Sequence, residues 1–184
     1  LTGTKGKTST SFMIKSLLEA AGHPTGLIGT TGIYYGTQYE YIDNSTPESF
    51  ELHRIFAAMV QSGIRYCVME VSSQSLKLER VYGLRFDTAV FTNLSHEHLD
   101  YHKDMESYFQ AKKKLFSRCD TAVVNLDDEH GRRIAEDCAC PLLTFSLERD
   151  ADLKAFDLTC HPDSVDFRFS YQGVESRMHF AMPG

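Results

Sequence analysis

The sequence predicts an α/β fold, a mainly parallel sheet with helices on both faces, and three features point to it. Short apolar runs at 25–31, 65–71, 87–93, 121–126 and 141–145 read as interior strands. Helical patterns lie between these runs, and one precedes the first. From residue 152 the texture changes to polar–apolar alternation at 153–160, 165–171 and 174–182, with short turns at Pro162-Asp163 and Gln172-Gly173. That alternation predicts an antiparallel three-stranded appendage over 152–182 rather than more of the parallel sheet.

In chain order, Met13, Ile14, Leu17, Leu18 and Ala21 share one helical face, and Gly22 and Pro24 end that pattern. Residues 33–42 look like a hairpin turning near Gly36-Thr37. Thr46 suits an N-cap and Pro47 the first helical position, with Glu48 complementing the helix dipole. The helix that follows carries Phe50, His53, Ile55, Phe56, Met59 and Val60 and stops at Gly63. Further helices are predicted over 72–79, 104–118 and 127–137, and a His-rich turn over 95–102.

The 184 residues suffice for one domain with a substantial core. A net charge of −6 and the absence of a basic run exclude nucleic acid as the main partner. No apolar window reaches the length of about 18 residues that a membrane span needs. Five cysteines without Cys-x-x-Cys spacing, with Cys138-Ala139-Cys140 too close for a usual zinc pair, read as free buried thiols in a reducing cytoplasm. The chain opens inside a loop pattern without Met and stops at Pro183-Gly184 without a closing element, so it reads as a piece of a longer protein.

Residues 1–9, LTGTKGKTS, place two glycines, a lysine and a hydroxyl directly before the first helix. Glycine lets backbone N–H groups approach phosphate oxygens, and the helix aims its partly positive N-terminus at them. Lys7 can reach the outer phosphates, and Thr8 is placed to ligate Mg²⁺. The loop is compact, since Leu1 stands where the long form has glycine.

Ligands of open α/β sheets bind at the carboxyl ends of strands, where the loop, Glu70 and residues 93–102 fall. Two readings stand for Glu70: a Mg²⁺ ligand, or a helix-capping or ion-pairing acid. The segment SHEHLDYH (95–102) holds three imidazoles and two carboxylates but misses the His-x-His-x-Asp-His spacing, because Tyr101 separates Asp100 from His102. His98 is its candidate functional residue, the others fitting structural or solvated roles. Lys112 falls near the centre of an apolar stripe of Met105, Tyr108, Phe109, Leu115 and Phe116, with Lys114 on the opposite face. Either its stem snorkels, or its amine is neutral or converted into an acidic metal ligand. A GTPase reading fails, because no Asn-Lys-x-Asp motif accompanies Asp128-Glu129-His130-Gly131.

The stretches TGTKGKTS (2–9), NSTPES (44–49), MEVSSQSL (69–76), FTNLSHEHLDYHKDMESYFQAKKKLF (91–116) and NLDDEHGRR (125–133) together resemble the Mur ligase family, in its MurE type. MEVSS and HLDYH are the specific stretches, since folylpolyglutamate synthetases and other Mur ligases share only the loop. The resemblance implies a three-domain enzyme of which residues 1–184 are the central ATP-binding domain, with the UDP-binding and C-terminal domains absent. It implies a monomeric cytoplasmic ligase of peptidoglycan precursor synthesis, adding meso-diaminopimelate or L-lysine to UDP-MurNAc-L-Ala-D-Glu through an acyl phosphate and forming ADP. ATP would be cradled by Gly3, Thr4, Lys5, Gly6, Lys7, Thr8 and Ser9. Mg²⁺ would sit on Thr8 and Glu70, and a second Mg²⁺ on His98 and a carbamate of Lys112. Lys7, Lys112 and His98 would be catalytic, and Asn44, Ser45, Thr46, Ser72 and Arg80 would contact the muramoyl peptide. Three positions depart from the family pattern: Ser45 for Thr, Leu78 for Gln and Glu97 for Asp. Two other classes remain open, a nucleotide-binding module without ligase activity and a metallo-hydrolase built on His96, His98 and Asp100.

Overall fold

The structure, a computed structural model, describes residues 1–181. Met182, the last residue of the third alternating stretch, lies outside them. In chain order the elements are α1 (Lys7–Ala20), β1 (Thr25–Gly29), β2 (Gly32–Tyr35), β3 (Gln38–Glu40), α2 (Ser49–Gln61), β4 (Tyr66–Met69), α3 (Ser73–Lys77) and β5 (Phe86–Phe91). There follow α4 (Leu99–His102), α5 (Met105–Lys113) running into a 3-10 turn (Lys114–Ser117), β6 (Cys119–Asn125), α6 (Glu129–Asp137), β7 (Leu142–Ser146), β8 (Leu153–Cys160), β9 (Val165–Tyr171) and β10 (Val174–Phe180).

Two ladders run in the orders β3-β2-β1-β4 and β5-β6-β7-β8-β9-β10. The start of the chain joins them. The Leu1 amine donates to the Met69 carbonyl at 2.7 Å, and Val71 N–H donates back to Leu1 at 2.8 Å. On the other side Thr2 N–H donates to Val90 at 2.8 Å, and Thr92 N–H to Thr2 at 3.1 Å. Residues 1–2 therefore occupy a strand position between β4 and β5, and the residues that follow emerge from the centre of the sheet. The pairs β1–β4, β5–β6, β6–β7 and β7–β8 are parallel. Both ends of the sheet are antiparallel.

The last three strands are antiparallel to one another, but they do not stand apart from the parallel sheet. β8 pairs with β7 in parallel at Phe145↔Leu153 and Ser146↔Lys154. Asp152 sets this join, its carboxylate accepting the Thr144 N–H at 2.8 Å and the Thr144 hydroxyl at 2.6 Å. The core gathers Ile28, Leu52, Ile55, Val71, Phe91, Tyr108, Phe109, Val124 and Ile134. Helix α6 presses hard on β6, because a Cβ at Gly131 would stand 1.9 Å from the Asn125 carbonyl.

Three sequence expectations need correction. Thr46 is not an N-cap: α2 begins at Ser49 with Glu48 before it, so Pro47 is not its first residue. The buried Thr46 hydroxyl instead donates to the Glu70 carbonyl and accepts from the Ser72 N–H, both at 3.0 Å, so tertiary bonds outcompete the local cap. The apolar face assigned to α1 is only partly used, since Leu17 is 61% exposed while Ser11 is buried. A small side chain at Ser11, its hydroxyl bound to the Thr8 carbonyl, lets the helix approach the sheet closely. Finally, only Cys119 is a buried thiol: Cys138 and Cys140 are half-buried, and Cys67 and Cys160 are exposed.

Candidate functional site

The glycine-loop residues leave the sheet centre at Gly3, whose φ of +156° lies in the range that glycine favours. A Cβ there would stand 1.9 Å from the Thr92 Oγ1, so the position accepts only glycine without rearrangement. The loop is clasped by the end of β5 and the residues after it. Thr4 N–H donates to the Asn93 carbonyl and Lys5 N–H to the Asn93 side chain, while Thr92 Oγ1 and Asn93 Nδ2 donate to the Lys5 carbonyl. Gly6, at φ +80°, turns the chain into α1. That helix start has no side-chain cap and no acidic residue in its first turn, whereas Ser72, Asp104 and Asp128 cap α3, α5 and α6. The exposed Lys5, Gly6 and Ser9 surround it. Uncapped N–H groups at a helix start under a glycine turn fit an anion.

Lys7 folds back over the loop and donates to the carbonyls of Gly3 and Thr4, both at 3.0 Å. Burial lowers the affinity of its amine for a proton, against the pull of Glu70 and Glu97. Glu70, just past β4, is fully buried. Its Oε1 accepts from the Thr8 hydroxyl at 2.9 Å and from the Thr30 N–H at 3.0 Å, and its Oε2 accepts from the Thr30 hydroxyl at 3.1 Å. All three partners are neutral, and no lysine or arginine pairs with this carboxylate among the described residues. A buried carboxylate beside a threonine hydroxyl, hydrogen-bonded yet in direct contact with no cationic side chain among the described residues, fits a hard divalent cation such as Mg²⁺. The helix-capping reading of Glu70 does not hold, because Ser72 caps α3.

Lys112 is 2% exposed, and its amine donates to the same Gly3 carbonyl at 2.8 Å. It does not snorkel to solvent; it lies 4.7 Å from the centre of the Tyr108 ring. Burial, and next the charge of Lys7, lowers its pKa to about 7, with Glu97 opposing the shift. Tyr108 is fully buried and touches several candidate residues at once. Its hydroxyl lies 3.3 Å from Thr4 Oγ1, which also accepts the Ser95 N–H at 2.9 Å. The His98 ring meets the Tyr108 ring edge-on at 5.9 Å, and the His102 ring stacks on it at 5.0 Å.

His98 itself is exposed and takes a left-handed conformation, φ 57°, immediately before α4. His102 is buried, with Nε2 2.8 Å from Ser73 Oγ. His96 and Asp100 are exposed, and among the described residues no three His, Cys, Asp or Glu side chains gather in a metal-holding arrangement. The hydrolase constellation is therefore not assembled.

Of the five residues implied for the muramoyl peptide, Thr46 and Ser72 are tied to each other, and Arg80 donates to the Thr46 carbonyl at 3.2 Å. Ser45 is half-buried, and Asn44 points to solvent. Sequence reasoning placed Asn93 at the site only as the start of the 93–102 segment, and it missed Thr30 and the hydroxyl of Tyr108. Thr30 lies just beyond a strand end, where polar groups signal function, whereas Tyr108 sits within an apolar stripe that gives no such sign.

The Mur ligase middle domain family matches residues 1–184. The UDP-N-acetylmuramoyl-L-alanyl-D-glutamate–2,6-diaminopimelate ligase of Clostridium perfringens is 47% identical over 180 residues, covering 95% of this chain and 37% of that protein. The enzyme of the same name from Clostridium tetani is 44% identical over all of this chain and 38% of its own length. A solved structure of a ligase of that name superposes with a TM-score of 0.88 at 29% identity, over 96% of this chain and 37% of that one. MurF from Acinetobacter baumannii, at 20% identity and a TM-score of 0.75, shares the fold. This chain thus spans a little over a third of the length of these proteins. By sequence across its whole length and by fold, the chain belongs to the Mur ligase middle domain family.

Proposed function

We propose that this chain is the central ATP-binding domain of a longer cytoplasmic ligase that adds meso-diaminopimelate to UDP-MurNAc-L-Ala-D-Glu. The observation that carries the reading is the gathering, on one glycine loop, of Lys7, Lys112 and the buried carboxylate of Glu70. The names of the relatives supply the choice of diaminopimelate over lysine.

ATP would lie on Gly3, Thr4, Lys5, Gly6, Lys7, Thr8 and Ser9. Lys7 would leave the Gly3 and Thr4 carbonyls for the phosphates, exchanging two neutral acceptors for an anionic one. Thr8 and Glu70 would hold one Mg²⁺, and His98 with Lys112 a second. Bound Mg²⁺ neutralises the charge that develops on the transferring phosphoryl group. Lys112 is suited to its part, because a pKa near 7 leaves much of the amine neutral, and only a neutral amine adds CO₂ to form a carbamate with loss of a proton. Conversion relieves the cost of burying a cation and creates an anionic ligand.

In the reaction the D-Glu carboxylate takes the γ-phosphoryl group and ADP leaves. The amine of diaminopimelate attacks the acyl phosphate, and phosphate is expelled from the tetrahedral intermediate. Thr46, Ser72 and Arg80 would position the muramoyl peptide, with Asn44 and Ser45 reaching from the exposed turn. The experiment is hydroxylamine trapping in the full-length protein. With ATP, Mg²⁺ and UDP-MurNAc-L-Ala-D-Glu but no diamino acid, a hydroxamate of the D-Glu carboxylate is expected. Bound ATP without any hydroxamate contradicts the ligase and leaves a nucleotide-binding module.

A further inference from the structure

Three of the five cysteines meet at the edge of the sheet opposite the phosphate loop. Cys119 opens β6, Cys138 follows α6, and Cys140 stands just before β7, so all three lie where parallel strands begin. The Cys140 sulfur is 3.3 Å from that of Cys138 and 3.7 Å from that of Cys119. Cys138 lines a surface cavity of about 290 Å³ together with Phe116, Ile134, Asp137 and Lys113, so a small molecule can reach the cluster. Cys119 is enclosed beneath it, its thiol directed at the Phe116 carbonyl at 3.6 Å.

We propose that Cys119, Cys138 and Cys140 form a reversible thiol–disulfide couple centred on Cys140. The oxidant is a low-molecular-weight disulfide. One of the half-buried pair, Cys138 or Cys140, attacks it as thiolate, forming a mixed disulfide and releasing one small thiol. A neighbouring cysteine then displaces the second small thiol, closing a bond between Cys140 and either Cys138 or Cys119. Two protein thiols are oxidised and one external disulfide is reduced to two thiols, which carry away both protons.

Geometry, rather than acidity, drives this pairing. Burial pushes the Cys119 thiol up to about 12 and also raises that of Cys138. Burial therefore holds both protons more tightly than on a free thiol, and an attack by Cys138 is slow. Once one mixed disulfide forms, however, a sulfur already in contact makes ring closure nearly unimolecular. A soft-metal site is the poorer reading, since the three thiols do not form a metal-holding set among the described residues. The cluster stands at the strand starts while the phosphate loop stands at the strand ends, so the couple is independent of the proposed ligase activity.

The test is peptide mapping of the full-length native protein after equilibration in mixtures of oxidised and reduced glutathione, with alkylation of the remaining thiols. In the oxidised mixture a cross-linked peptide containing Cys140 joined to Cys138 or Cys119 is expected, and reduced glutathione removes it. In Cys140→Ser the cross-link disappears and glutathione remains attached to Cys138, with thermal melting confirming that the variant is folded. Glutathione adducts alone on the wild-type cluster would overturn the proposal. So would pairing confined to Cys67 or Cys160, or a stoichiometric zinc or copper ion held by these thiols on purification.

Discussion

Lys112 concentrates the electrostatics of the site, since it is buried, shares the Gly3 carbonyl with Lys7 and borders the Tyr108 ring. Its pKa falls from 10.5 to about 7 in the fold. Between those values the unfolded chain binds one more proton than the folded one, so the contribution of Lys112 to stability rises with pH across that window. Below about pH 7 the full cost of the buried cation is present. In the fold the neutral amine needed for a carbamate appears around pH 7, at the lower end of that window. Activity stimulated by bicarbonate is therefore expected to rise from about pH 6 to about pH 8, as a pH–rate profile with and without bicarbonate would reveal. Lys112→Ala should lower acyl-phosphate formation by at least about 10²-fold. Lys114→Ala removes only an exposed 3.1 Å bridge to Glu79 and should change stability by less than about 0.5 kcal/mol. Equal activity of the two variants would contradict the assigned role. Tyr108→Phe deletes the bond to Thr4 but keeps the ring under Lys112, and should cost about 0.5–1.5 kcal/mol in thermal or denaturant unfolding.

At the scale of elements, the loops hold the site because side chains tie them to helix starts. One carboxylate shows how. Asp128 Oδ1 caps α6 by accepting from the His130 and Gly131 N–H groups, while its Oδ2 accepts the Leu94 N–H at 2.8 Å. Asp128→Ala should therefore lower stability by about 1–3 kcal/mol, more than a cap alone, and raise hydrogen exchange at Leu94 and Ser95. The apolar strand runs were legible because their signals are local, whereas the cap of α6 was found only in the structure. What failed was also local in appearance: Thr46 had every feature of a cap, yet its hydroxyl is used between two distant segments. α4 was read as part of a turn, because four residues following a left-handed His98 carry no helical period.

At the scale of the whole molecule, a sheet of mixed direction carries the site along its central strand ends. The first two residues lie between β4 and β5, and the loop that follows is reached from both sides, by Glu70 after β4 and Asn93 after β5. Loop composition and the acid ending an apolar strand made Lys7, Thr8 and Glu70 visible in the sequence, and helical periodicity did the same for Lys112. The meeting of His98, Tyr108, Thr4 and Lys112 was not visible, since it depends on how α5 packs beneath the loop. The proposed ligase reaction is checked by phosphate release from the full-length protein given ATP, Mg²⁺ and UDP-MurNAc-L-Ala-D-Glu, with meso-diaminopimelate or lysine supplied separately. Release that depends on meso-diaminopimelate and is absent with lysine is the predicted result. No release with either, despite measurable ATP binding, would contradict the ligase reaction.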